Sequence, residues 1–306
     1  MNAFDPSVAG TSWYEASARQ RVEGLVDSGS FVEFVGPTER EVSPHLPLFD
    51  LPQQFDDGMI VGQATFDGRR VFVAAQEGRF MGGAFGEVHG AKLTGLLRAA
   101  RDERTVPVLI LFDTGGVRLQ EANAGELAIA EIMRAIAEAR SAGVPVIGLV
   151  GGRAGCYGGG GLLAGCCSPL AVSEQGRIAV SGPEVIETNR GVDEFDSKDR
   201  ALVWRTMGGK HRRLIGGAER FVDDTVSAFR DAVTALLAKP AAFDLAVLEA
   251  EQARLDARLA AFGGCGDAYD VWRALGATDV EAIPGMPGDA FAALADRLQE
   301  TQHDAR

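Results

Sequence analysis

The chain has 306 residues, 46% of them hydrophobic and 24% charged, with a formal net charge of −13. That length supports one large domain or two ordinary ones, the composition speaks against extensive disorder, and the negative charge argues against broad nucleic-acid binding because it repels phosphate backbones. The opening MNAFDPSVAG lacks the layout of a secretory signal, no apolar run is long enough for a membrane span, and Cys156, Cys166, Cys167 and Cys265 form no CxxC pair, so the expectation is a reduced, cytoplasmic protein in which adjacent Cys166 and Cys167 are small buried side chains.

Residues 13–28 place Ala18, Val22, Leu25 and Val26 at helical spacing, with Gly29 as the expected C-cap. The Pro-rich stretch 42–53 reads as a connecting loop. Alternating runs within 60–76, joined by Asp67-Gly68, predict a β-hairpin. The continuous apolar run VPVLILFD (106–113) has the character of a buried strand, which TGGVRLQE (114–121) then turns. A helix is predicted over 125–142, with Ile129, Ile132, Met133 and Ile136 on one stripe and Glu131, Arg134 and Glu138 opposite. VPVIGLV (144–150) predicts another buried strand, and two short strands follow in 169–174 and 177–182, split by Gln175-Gly176. Past a boundary near Lys239-Pro240, an Ala/Leu-rich amphipathic helix spans 241–262 and a further helix lies near the C-terminus. The expected division is therefore 1–240 and a helical extension, 241–306, suited to contacting a partner.

GLVGGRAGCYGGGGLLAGCC (148–167) holds nine glycines in twenty positions, although glycine inside a regular element costs roughly 0.5–1 kcal/mol relative to alanine. One explanation is dinucleotide binding, since 159–164 satisfies G-x-G-x-x-A. That match is weak because the glycines begin well past the preceding strand. No P-loop lysine, G-x-S-x-G elbow or H-E-x-x-H pair is present. A second explanation is close helix packing at Gly161, Ala164 and Gly165. A third also accounts for Gly115-Gly116, which follows the earlier buried strand: two turns, Gly115-Gly116 and Gly158-Gly159, aim backbone N–H groups at one oxygen. Such an oxyanion hole is worth about 3 kcal/mol per donor in the transition state.

The blocks SARQRVEGLVDSGSFVEF (17–34), FMGGAFGEVHGAKL (80–93), DTGGVRLQE (113–121), the glycine stretch and IAVSGPEVIE (178–187) together resemble the biotin-type carboxyltransferase family of the crotonase-like superfamily. Within it the chain is most similar to the β subunits of biotin-independent malonate decarboxylases. The resemblance implies an α/β fold, a spiral of β-β-α units, and a related γ-type partner subunit. It also implies an acyl carrier protein and its acyl-carrier transferase, with the malonyl group riding as a thioester on a CoA-derived prosthetic group, and no cofactor bound by this chain itself. Carried over, the oxyanion hole falls on Gly115, Gly116, Gly158 and Gly159, and substrate contacts fall on Gly82 and Gly83. The four-cysteine zinc ribbon of acetyl-CoA carboxylase β subunits has no counterpart here, and neither the sequence nor the chemistry calls for a metal.

The proton donor has several candidates: Tyr157 beside the second turn, His89, Gln120-Glu121, or a group on the partner. Against each stands a structural role: packing for Tyr157, a satisfied buried histidine at His89, a turn carboxylate at Glu121. Residues 198–220 carry seven Lys/Arg against two acidic residues, so Lys210, Arg212 and Arg213 are candidates to grip the substrate arm's phosphates, with a solvated helix face or subunit contact as the alternative. A carboxyltransferase taking CO₂ from carboxybiotin, and a non-catalytic scaffold subunit, are the competing functions.

Overall fold

Ser17 opens the first helix, α1 (Ala18–Leu25), by accepting from the Gln20 amide while the Gln20 side chain accepts from the Ser17 amide, a reciprocal cap. The helix stops at extended Val26, not at Gly29, whose positive φ belongs to the turn beyond. The computed structural model describes residues 5–239 and 242–304, with side chains through 299. After β1 (Val32–Phe34), strands β2 (Met59–Phe66) and β3 (Arg69–Gln76) form the predicted hairpin. Its turn residues Asp67 and Gly68 take φ of 49° and 76°, the left-handed pair a two-residue hairpin loop requires.

The chain then runs through α2 (Glu87–Glu103), β4 (Val108–Phe112), α3 (Asn123–Ser141), β5 (Val146–Val150), β6 (Cys156–Tyr157), α4 (Gly159–Cys166), β7 (Leu170–Ser173) and β8 (Ile178–Ala179). Helices α5 (Pro183–Arg190), α6 (Arg200–Met207) and α7 (Gly209–Leu214) lead to β9 (Arg220–Val222) and α8 (Val226–Leu237). The C-terminal helices are α9 (Leu245–Phe262), α10 (Ala268–Ala274) and α11 (Gly288–Asp304). The main sheet runs β1-β2-β3-β4-β5-β7-β9, antiparallel through β3 and parallel from there. The two strands predicted in 169–182 part company: β7 joins this sheet, whereas β8 pairs with β6 in a separate two-stranded one.

Period-two alternation explains why β4 and β5 are apolar throughout. Val108, Ile110, Phe112, Val146 and Val150 face a core closed by Leu93 and Leu97 of α2 and Ile132 and Ile136 of α3. Leu109, Leu111, Ile147 and Leu149 face the other way, onto Val22 and Leu25 of α1 and Phe229 and Val233 of α8. Each such side chain contributes about 1.5–3 kcal/mol by leaving water. The β4–β5 register runs from Val108↔Val146 to Phe112↔Val150.

A third cluster seats Trp272, Ile283, Phe291 and Leu298 of the C-terminal segment on Leu214 of α7, with Phe221 of β9 edge-on to Phe291. Helix α9 has no buried residue, and its Leu245, Leu248, Leu255 and Leu259 are exposed. Pro240 and Ala241, at the expected domain boundary, lie outside the described residues. Among the described residues no helix is long and apolar enough to cross a membrane.

Candidate active site

Because β4 and β5 are parallel neighbours, the turns that leave them emerge at the same edge of the sheet. Thr114 stitches those turns together: its amide donates to the Gly155 carbonyl at 2.8 Å and its carbonyl accepts from the Tyr157 amide at 2.9 Å. The result places Gly116 against Gly158. A Cβ on Gly158 would sit 3.2 Å from Gly116 Cα, and one on Gly116 would sit 3.6 Å from the Tyr157 carbonyl oxygen. Both residues have positive φ, 129° and 56°, which a side chain would strain.

The amides at this junction are not equivalent. Gly115 N–H donates to the Gly82 carbonyl at 2.8 Å, so it is no donor for a ligand, contrary to the sequence expectation. Gly116 N–H meets Thr114 Oγ1 at 3.1 Å. The amides of Gly158 and Gly159, the N-cap and first residue of α4, have no acceptor among the described residues, nor does Val117 in the first turn. Such groups at a helix start carry the positive end of its dipole.

The four consecutive glycines have separate causes. Gly158 supplies the contact with Gly116, whereas a Cβ on Gly159 would meet Ile129 at 2.6 Å, on Gly160 would meet Thr114 at 2.3 Å, and on Gly161 would meet the Ala179 carbonyl at 2.4 Å. Close packing therefore holds for Gly161 and for buried Ala164, but not for Gly165, which has open space beside it.

Asp113, the residue before Thr114, fixes the junction from behind. Its Oδ2 accepts from Arg21 Nη1 at 2.7 Å, with both side chains buried, and its Oδ1 accepts from the Ala154 amide at 2.6 Å in the loop after β5. Gly78 and Gly152 wall in the carboxylate; a Cβ there would lie 2.5 and 2.2 Å from its Cγ. One carboxylate thus ties α1 and both turns together. Sequence reasoning missed it, since an Asp at a strand end gives no sign of a partner 92 residues away. The same holds for the buried cluster in which Arg118 Nη1 donates to Asp57 Oδ2 at 2.8 Å and to Glu121 Oε1 at 3.0 Å.

Most of the other candidates are held in internal contacts. Gly82 and Gly83 form a turn beneath the first glycine pair, with a Gly83 Cβ only 1.8 Å from the Asp113 carbonyl oxygen. Tyr157 packs among Val203, Met207 and Trp204, and burial raises its hydroxyl above the usual phenol range. Glu121 is buried: burial works to raise its carboxyl, but the Glu87 amide, Ser43 and Arg118 hold it below the ordinary value. Gln120 is exposed.

Lys210 donates to the Pro284 and Met286 carbonyls, both at 2.8 Å, Arg213 pairs with Asp296 at 2.5 Å, and Arg212 donates to the Ile178 carbonyl. These three are engaged in contacts within the chain, which is the alternative the sequence left open beside the phosphate role. Burial, reinforced by Arg258, lowers Arg212 to about 10.

His89 is wholly buried, stacks on Phe85 and bonds the Ala84 carbonyl through Nδ1 at 2.8 Å. Burial first, then Arg118 and Lys92, hold its pKa well below 6.5. A histidine depressed on folding binds its proton more readily in the unfolded chain, so its contribution is intact above pH 6.5 and is lost as pH falls from there toward the folded value. The His89→Gln variant is expected to show a shallower fall in stability below that pH, by up to about 1.4 kcal/mol per pH unit for one proton. Urea unfolding across pH 5–7 would check it, and a slope identical to the parent's would refute the burial argument.

Four apolar side chains on nearby elements are exposed: Leu119 after the first turn, Leu127 on α3, Leu162 on α4 and Val180 after β8.

Comparison with known proteins places this geometry in context. The carboxyl transferase domain family matches residues 15–241. The malonyl-S-ACP:biotin-protein carboxyltransferase of Malonomonas rubra is 41% identical, covering 94% of this chain and 96% of that protein. The propionyl-CoA carboxylase β chain of Saccharopolyspora erythraea is 30% identical over 72% of this chain but 39% of its own length. Among solved structures, a Pseudomonas malonate decarboxylase hetero-tetramer in complex with malonate superposes with a TM-score of 0.80 at 39% identity, covering 88% of this chain and 98% of that one. A Pseudomonas malonate decarboxylase hetero-dimer gives 0.61 at 37% identity, over 75% and 91%. The fold is thus the α/β architecture of these enzymes, as the crotonase-like resemblance implied.

Proposed function

Given that the chain belongs to the carboxyl transferase domain family, we propose that it is the β-type subunit of a malonate decarboxylase and removes CO₂ from a malonyl thioester. In this mechanism the bond from the α-carbon to the carboxylate breaks and CO₂ leaves. The bonding pair moves through the α-carbon into the thioester carbonyl, whose oxygen takes the negative charge. Proton delivery to the α-carbon then yields the acetyl thioester. The supporting observation is the contact of Gly116 with Gly158, beside amides at Gly158 and Gly159 that have no internal acceptor. Two donors at a forming enolate oxygen would supply about 3 kcal/mol each.

The substrate arm in this proposal is a CoA-derived group on an acyl carrier protein, loaded by an acyl-carrier transferase. The proton comes from a γ-type partner subunit, since Tyr157 and His89 are enclosed by packing. The Pseudomonas hetero-dimer and hetero-tetramer supply the precedent for a partner, and exposed Leu119, Leu127, Leu162 and Val180 offer it apolar contacts. A second reading, transfer of the carboxyl group to a biotin protein, draws on the name of the 41% identical relative. Mixing the chain with its partner and malonyl carrier, with and without avidin, separates the two. Avidin-insensitive CO₂ release is expected. Loss of turnover with avidin would move the assignment to biotin, and no turnover under either condition would leave a scaffold role.

A further inference from the structure

Of the seven cations in the basic stretch 198–220, Lys198, Arg200 and Arg220 have no hydrogen bond or ion pair to their side chains among the described residues, and of these three Arg220 lines a cavity. Arg220 begins β9 and opens onto a cavity of about 390 Å³ between the α7–β9 loop and α9. Lys239, Arg254, Arg258 and Arg213 line the same cavity, and Glu219 is its one acidic wall residue. Glu219 Oε2 already accepts from the Leu170 amide at 2.6 Å. Arg213 is paired with Asp296, and Arg254 with Glu251 at 2.5 Å. Lys239 and Arg258, like Arg220, have no carboxylate within ion-pair distance among the described residues. Even with Glu219, Glu251 and Asp296 counted, three carboxylates face five cations, in a chain whose net charge is −13.

Burial, then the neighbouring Arg254, lowers the Arg258 pKa, against the pull of Glu251. A half-buried guanidinium in that position gains most from an anion, and its planar fork matches phosphate oxygens. Helix α9, with no buried residue of its own, supplies two of these cations, so packing alone does not account for where they stand.

We propose that this cavity binds a phosphate-class anion, either free phosphate or pyrophosphate or the diphosphate end of a nucleotide-like ester. It is separate from the glycine junction: Glu219 and Arg220 meet the N-terminal ends of β7 and β9, while both glycine turns leave the C-terminal ends of β4 and β5. A failure here therefore leaves the decarboxylase proposal untouched.

Calorimetric titration of the full chain with pyrophosphate at low salt is expected to show one saturable site. Arg220→Ala/Arg258→Ala should weaken it at least about tenfold, while Arg69→Ala, an exposed cation on the β2–β3 hairpin, should not. Melting curves would establish that all variants fold, which the exposure of α9 favours. Tighter binding of ADP than of pyrophosphate would identify an ester as ligand, and equal or weaker binding a free anion; both support the site. Absence of saturable binding at millimolar pyrophosphate, or an equal loss in Arg69→Ala, would overturn it.

Discussion

Gly158→Ala is expected to lower kcat by roughly 10²- to 10³-fold, well beyond its effect on folding. The substitution does two things at once. It forces a Cβ to within 3.2 Å of Gly116 Cα, pushing the turns apart, and it burdens a backbone at φ 56° that alanine resists. The strain itself costs about 1–3 kcal/mol of stability, so melting temperature falls modestly. Displacement of the Gly158 and Gly159 amides from a developing oxyanion falls on the chemical step, and KM changes little because the ground-state carbonyl is a poorer acceptor. Gly165→Ala is the matched control, since a Cβ there meets nothing within 4 Å and helical alanine is favourable. Saturating CO₂-release kinetics of the assembled enzyme, beside thermal melts, make the comparison. If Gly158→Ala lost activity only in proportion to its folded fraction, the junction would be architecture and not an oxyanion site.

Arg21→Met is expected to destabilise the chain by about 3–5 kcal/mol, because it leaves a buried carboxylate without its counter-charge. Arg21 and Asp113 are 2% and 3% exposed and lie 2.7 Å apart, so solvent screens neither. The Ala154 amide would still hold Asp113 Oδ1, but the oxygen released by Arg21 would face the buried environment. Adding Asp113→Asn should restore part of the loss by removing the naked charge while keeping a group for Ala154 to meet. Urea denaturation of the single and double variants gives the coupling directly. A cost below about 1 kcal/mol for Arg21→Met would mean that the pair is dispensable.

The parts of the fold that sequence conveys are those governed by local chemistry. Asp67-Gly68, the apolar runs of β4 and β5, and the stripe of α3 each carry their own signal, because turn dihedrals and burial period are properties of neighbouring residues. The meeting of Gly116 with Gly158 was legible once two strand-ending glycine pairs were set side by side. Which amides remain unengaged was not legible, for it depends on Gly82 reaching Gly115 and on Thr114 turning its hydroxyl toward Gly116. Charge was the least informative signal: the KHRR run has the composition of an anion-binding surface, and Lys210, Arg212 and Arg213 have partners among the carbonyls and a carboxylate of the C-terminal segment and β8 that the run itself does not announce. Long-range partners of a cation leave no trace in its immediate sequence. Helix α9 shows its apolar residues in sequence, but not how far they are covered: Phe262 packs on the C-terminal cluster while Leu245, Leu248, Leu255 and Leu259 stay exposed.

The parallel register of β4 and β5 has a consequence for how such chains tolerate changes in length. Each strand residue advances its turn by about 3.3 Å, and a one-residue slip also exchanges the two faces. An insertion or deletion inside Val108–Phe112 or Val146–Val150 would therefore carry Gly116 or Gly158 a full residue out of step and invert both cores together. The bend at Ala142-Gly143, between α3 and β5, bears no such constraint, because a Cβ on Gly143 has open space around it. Insertions are expected to be tolerated at such a bend and not within the strands, whose lengths gauge the junction.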